Sequence, residues 1–171
     1  VPSLIYANPN FLDRLPGIAD TGYGQGELQV TPLEMAMVAA TFGNDGVLMR
    51  PYVVERVVRR NGAEVYHHGA IAVRKVVSSR TAATIRDAMR MVVKDGFGKA
   101  AQSVAGMDIG GKSGTAEYDG IHTHAWFVAL APIENARFAV AVVLEAGGEG
   151  AGIGAATAGQ IIRAAVDTVQ P

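Results

Sequence analysis

The sequence predicts an α/β domain of the α+β kind, an antiparallel sheet flanked by helices. Two segments before Gly106 carry apolar side chains at helical spacing between recognisable caps. Ile109 to Tyr118, Ala125 to Ala131 and Arg137 to Ala146 are strand-like runs, the last two dense in Val, Ala, Leu and Phe, and Ala155 to Val169 returns to helical spacing. With 171 residues, 49% of them hydrophobic, the chain is long enough to bury a core of its own.

Residues 1–30 carry Pro2, Pro9, Pro16 and the run Gly22-Tyr23-Gly24-Gln25-Gly26 without a sustained period, and are expected to be an irregular lead-in. Thr31-Pro32-Leu33-Glu34 supplies a capping hydroxyl, a first-turn proline and a glutamate three residues past the cap. A helix runs on from Pro32 to about Phe42, with Leu33, Met37 and Ala40 on its apolar stripe and Asn44-Asp45-Gly46 ending it. Val53-Val54 and Val57-Val58, then Asn61-Gly62 and Glu64-Val65-Tyr66, read as a hairpin with a tight turn. Ser78 or Ser79 caps a second helix through Lys94, burying Ala82, Ile85, Met89, Val92 and Val93, with Gly96 as terminator. In the final third, residues 132–136 are short enough for a hairpin connection and residues 119–124 form a polar loop. Residues 155–169 are expected to form a closing helix with an apolar face through Ala158, Ile161, Ile162, Ala165 and Val169, packed on the sheet.

Composition narrows the function. Fifteen basic against 16 acidic side chains leave a formal charge of −1, which gives no field to gather nucleic acid or anionic lipid. Without cysteine there is no disulfide framework and no thiolate metal site. No uncharged run approaches the roughly 20 residues of a membrane-crossing helix. The chain opens Val1-Pro2-Ser3-Leu4-Ile5-Tyr6, with neither an initiator Met nor a signal-peptide layout, and is expected to begin inside a longer product.

One short motif admits two chemistries. Gly106 to Ser113 satisfies the phosphate-loop pattern of a glycine, four residues, then Gly-Lys-Ser, but that loop needs a helix starting at the Lys-Ser. The next residues are instead Gly114-Thr115-Ala116-Glu117-Tyr118 and a turn at Asp119-Gly120, so a nucleotide site is a remote alternative. Read as a strand, Lys112-Ser113-Gly114-Thr115 offers a cation, two hydroxyls and a bare position, a set suited to the anionic end of a peptide. Alternation puts Lys112 and Gly114 on one face and Ser113 and Thr115 on the other, so a ligand using all four lies along the strand's edge. Glycine at 114 lets it approach closely. His67-His68 and His122-x-His124 lack a third ligand at a recognisable spacing, and no metal or cofactor is expected. Trp126 and Phe127 read as core on opposite faces of a buried strand, Glu117 as a solvated charge, and Arg59-Arg60 and Arg74-Lys75 as hairpin rim.

Lys112-Ser113-Gly114-Thr115-Ala116-Glu117, then His124-Ala125-Trp126-Phe127 and Ala129-Leu130-Ala131-Pro132, resembles the third motif and following strand of penicillin-binding protein transpeptidases, class B in particular. Gly24 to Ala36 is similar to the same family's helix before that strand, and Gly46-Val47 to Arg50-Pro51 lies between the matches in the right order. The resemblance implies a β-lactamase/transpeptidase-like fold. It also implies an enzyme whose Ser-x-x-Lys serine is acylated by the D-Ala-D-Ala end of a peptidoglycan stem peptide and which binds β-lactam antibiotics. Carried over by position, Lys112 supplies positive potential near the nucleophile and the substrate carboxylate. The Ser113 and Thr115 hydroxyls bind that carboxylate, and the Thr115 N–H forms half of an oxyanion hole.

The chain departs from the pattern in one respect. Of its five serines, none is followed at three residues by Lys or at two by Asn, so Ser-x-x-Lys and Ser-x-Asn are both missing. The resemblance therefore implies the C-terminal portion of a transpeptidase domain, a partial domain whose partner is the absent N-terminal half and which is inactive alone. It acts on the extracytoplasmic side of a bacterial membrane, anchored by a segment not in this sequence. A non-catalytic peptidoglycan sensor or scaffold of the same fold is the alternative.

Overall fold

The structure, a computed structural model, describes residues 10–169. A 3-10 turn at Phe11–Asp13 leads into α1 (Leu15–Gly22) and α2 (Pro32–Gly43). Then come four short strands, β1 (Val47–Met49), β2 (Arg56–Val58), β3 (Glu64–His67) and β4 (Ala72–Lys75), followed by helices α3 (Ser79–Lys94) and α4 (Lys99–Ala105). Strands β5 (Gly110–Glu117), β6 (Thr123–Ala131) and β7 (Phe138–Leu144), a π-helical turn at Gly150–Gly154 and α5 (Ala155–Val169) complete the chain.

The three last strands form an antiparallel sheet in the order β5-β6-β7, with β5 at an edge. Alternate side chains of β6 go to opposite layers, as a pleat requires. Phe127, Ala129 and Ala131 join Val93, Ala101, Ile109, Ala158 and Ile162 in one core, under α4 and α5. Leu130 joins Ala39, Met89 and Ile133 in the other, under α2 and α3. The sheet is thus sandwiched between helices, and its strand β6 is the molecule's apolar centre.

Helix ends follow the caps in the sequence. Thr31 Oγ1 accepts the Glu34 N–H at 3.2 Å while Glu34 takes the Thr31 N–H at 3.3 Å, and Ser78 Oγ accepts the Thr81 N–H at 3.0 Å. Two arginines of α3 fasten it to its surroundings. Arg86 donates to the Phe42 carbonyl at the end of α2 and to Asp45 at 3.0 Å. Arg90 reaches Asp108, just before β5, at 3.2 Å and Glu134 in the β6–β7 turn.

Several expectations are corrected. The lead-in is not irregular throughout: Pro16 sits in the first turn of α1 and starts that helix, because the N–H it lacks would have no intrahelical partner there. Pro2 and Pro9 lie outside the described residues. Helix α2 is apolar nearly all round, so periodicity did not identify its buried stripe; Ala39 and Thr41 are buried, whereas Ala40 is exposed and Leu33 is 59% exposed. On α5, Ala158 and Ile162 are buried, but Ile161 and Val169, expected on the same apolar face, are exposed. The hairpin is shorter than Val53-Val54 suggested, pairing β2 with β3 around a turn closed by Arg59 and Ala63, while Val53 and Val54 stand exposed outside the strands. Strands β1 and β4, which pair with each other, and helix α4 went unforeseen, being three, four and seven residues long.

Candidate functional site

Strand β5 forms an edge of the sheet and is buried at its start and exposed beyond it. At its start Gly111 lies against Phe127, where a Cβ would come within 2.5 Å of the buried ring, so only a glycine lets the two strands and the core close together. From Lys112 onward the strand emerges: Lys112 and Thr115 are exposed, Ser113 and Gly114 half-buried. The register pairs Lys112 with Val128, Gly114 with Trp126 and Ala116 with His124, all on the face that α2 and α3 cover elsewhere. At this end the floor becomes one side of a groove of about 580 Å³, whose opposite wall is residues 23–26 and 28–30 with Met35 from the first turn of α2. All of Lys112, Ser113, Gly114 and Thr115 line it.

Two side-chain donors reveal which backbone groups face outward. Gln25 Nε2 donates to the Thr115 carbonyl at 3.0 Å, and the Lys112 ammonium donates to the Ser113 carbonyl. In an antiparallel ladder a residue's N–H and C=O point to the same side, alternating along the strand. Ser113 and Thr115 therefore both turn their backbone groups away from β6, offering a rim to an extended chain.

The rim is supported from behind. Gly150, in the π-helical turn, packs so closely on β5 and β6 that a Cβ there would lie 2.1 Å from the Trp126 carbonyl oxygen and 2.5 Å from that of Gly114. Beyond Glu117, the Tyr118 and His124 rings stack at 4.2 Å and 4°, and the Ala146 N–H donates to His124 Nδ1 at 3.2 Å. Thr123 Oγ1 donates to the Gly148 carbonyl at 3.0 Å, tying the loop after β7 to the start of β6. On the opposite wall the Tyr23 hydroxyl donates to Asp20 at 3.0 Å, and this carboxylate pushes the phenol above its ordinary range.

The phosphate-loop alternative does not survive this geometry. Residues 110–117 are strand, Gly106 closes α4 with φ +68°, and no helix starts at Ser113. Trp126 is also corrected: it lines the groove half-buried, because Gly114 opposite it carries no side chain, while Phe127 alone of the pair is core. The histidines sit apart. His67 lies 3.9 Å from Glu64, His68 Nδ1 is 2.9 Å from the Tyr66 hydroxyl, and His122 Nδ1 is 2.7 Å from Asp119. Among the described residues no three His, Asp or Glu side chains converge as a metal site would need. Gln25 and Tyr23 belong to the groove although the sequence assigned neither a role: both lie in a glycine-rich run, and Gln25 also in the Gly24 to Ala36 resemblance; the glycines at 22, 24 and 26 were the available signal.

A sequence profile of the penicillin binding protein transpeptidase domain matches residues 10–167. The peptidoglycan D,D-transpeptidase PbpA of Mycolicibacterium smegmatis is 40% identical over 130 residues, covering 74% of this chain and 26% of the relative. Its namesake in Mycobacterium tuberculosis is 36% identical over 152 residues, covering 86% of this chain and 30% of the relative. The solved imipenem acyl-enzyme complex of penicillin-binding protein A from M. tuberculosis is similar at a TM-score of 0.81 and 31% identity, over 96% of this chain and 37% of that one. The chain thus spans well under half the length of the relatives it matches. On the profile, the relatives and the shared fold together, it belongs to the penicillin-binding protein transpeptidase family, with the character of its class B members.

Proposed function

We propose that this chain is the C-terminal portion of the transpeptidase domain of a peptidoglycan D,D-transpeptidase, and that β5 is the wall of its substrate cleft. The observation that carries the reading is the emergence of Lys112 to Thr115 as an extended edge, with all four residues in one groove and the backbone of Ser113 and Thr115 turned outward. A stem peptide ending in D-Ala-D-Ala lies along this edge. Its terminal carboxylate meets the Ser113 and Thr115 hydroxyls in the positive potential of Lys112.

In the reaction, the hydroxyl oxygen of a serine outside this chain adds to the carbonyl of the penultimate D-Ala. The C–N bond to the terminal D-Ala breaks, and that residue leaves as an amine carrying the serine's proton. The amine of a second stem peptide then takes the acyl group and frees the serine. Negative charge builds on the carbonyl oxygen in both steps, and the Thr115 N–H donates to it; losing one such donor costs on the order of 10² to 10³ in rate. β-Lactams enter the same cleft and stop at the acyl-enzyme, as imipenem does in the M. tuberculosis relative. The site works on the outer side of the membrane, where peptidoglycan is; no helix among the described residues is long and apolar enough to cross a bilayer.

Lys112→Ala in the full-length protein is expected to slow acylation by a fluorescent penicillin by about 10²-fold. Intact mass of the present chain after exposure to penicillin is expected to show no adduct. Acylation at the wild-type rate in the variant, or drug mass on this chain, contradicts the assignment. A full-length protein that no β-lactam acylates points instead to a non-catalytic relative of the fold.

A further inference from the structure

The free edge of β5 is already occupied. The Thr115 carbonyl, which faces outward from the sheet, holds the amide of Gln25 at 3.0 Å, in the place where an added strand would present its own N–H. The backbone that carries Gln25 is fixed. Its N–H donates to Asp20 O at 2.9 Å, the Gly24 N–H to Thr21 O at 3.1 Å, and the flanking Gly24 and Gly26 have φ of +85° and +75°. The side chain, by contrast, is only half-buried, and its bond to Thr115 is exposed. Rotating that side chain frees the carbonyl without moving the wall.

We infer that Gln25 is an internal competitor for the substrate rim: its amide stands in for the ligand's N–H on Thr115 and must swing away as an acylamino group docks. The inference rests on the proposed reading of β5 and deepens it. It sorts ligands by one atom. A stem peptide or a penicillin has an amide N–H beside the reacting carbonyl and competes with Gln25. A carbapenem such as imipenem, which bears a hydroxyethyl group there, does not.

The test is acylation of the full-length protein by penicillin G and by imipenem, in wild type, Gln25→Met and Gln25→Ala. Met keeps the length of the side chain and removes the donor. Both variants are expected to raise the second-order rate constant for penicillin G by about 2- to 10-fold, the range a single exposed amide–carbonyl bond spans, and to leave that for imipenem unchanged. A penicillin-to-imipenem ratio equal to wild type in both variants overturns the inference while the substrate-cleft reading stands. A ratio that falls overturns it too, by making Gln25 a helper of the ligand. Failure of the wild-type protein to react with either drug removes the reading beneath it, and the inference falls with it.

Discussion

At the scale of single residues, much of the site's geometry depends on side chains that are absent or charged. Gly111 and Gly150 let backbone and core approach to distances no Cβ permits, and Gly114 leaves the Trp126 ring facing the groove. Arg90 does the opposite work through charge, joining α3 to Asp108, just before β5, and to Glu134 in the β6–β7 turn. Its hydrogen bond holds the Glu134 carboxyl below its ordinary value of 4.5, and Glu134 raises the guanidinium in return. A carboxyl depressed in the folded state contributes stability that is present above the unfolded pKa and is lost as pH falls through the folded one. Glu134→Gln is therefore expected to melt below wild type at neutral pH, by a small margin because the pair is largely exposed. The gap closes as the pH drops below 4.5. Thermal melts across that range check it, and a gap that persists or widens in acid contradicts the role given to Arg90.

At the scale of elements, those with strong local signals stand where the sequence puts them. Helix α3 begins at the Ser78 cap, α5 matches its predicted span residue for residue, and the three strand-like runs became β5, β6 and β7. Their apolar periods are long and their caps explicit. Strands β1 and β4 carry no such record, since a ribbon with neither face fully buried needs no alternation to keep one side dry. Helix α4 is too short for a period to register, and α1 was hidden by a proline that starts a helix as readily as it breaks one. The π-helical turn 150–154 shows an element whose role emerges only from packing. Gly150→Ala drives a methyl into two carbonyl oxygens of the β5–β6 ladder, and a loss of about 1–3 kcal/mol is expected in urea denaturation of the chain. Unchanged stability means that the turn does not support the rim.

At the scale of the whole molecule, the layered chain leaves a stretch of its sheet bare among the described residues, and that stretch lines the groove. The four-residue motif was legible because a strand's alternation and an edge's free backbone follow from sequence alone, given the choice of strand over helix. The far wall was not, because Tyr23 and Gln25 meet β5 across about ninety residues of chain, a separation that only the fold resolves. The chain's extent matters here as well. It covers 37% of the M. tuberculosis structure it resembles, and none of its serines stands in the Ser-x-x-Lys context that the proposed nucleophile requires. A crystal structure of the full-length protein acylated by penicillin G tests the proposed cleft most directly. The acyl carbonyl oxygen is expected within hydrogen-bond distance of the Thr115 N–H, with the drug's carboxylate on the Ser113 and Thr115 hydroxyls beside Lys112. An acyl group bound away from β5, making no contact with residues 112–115, contradicts the account.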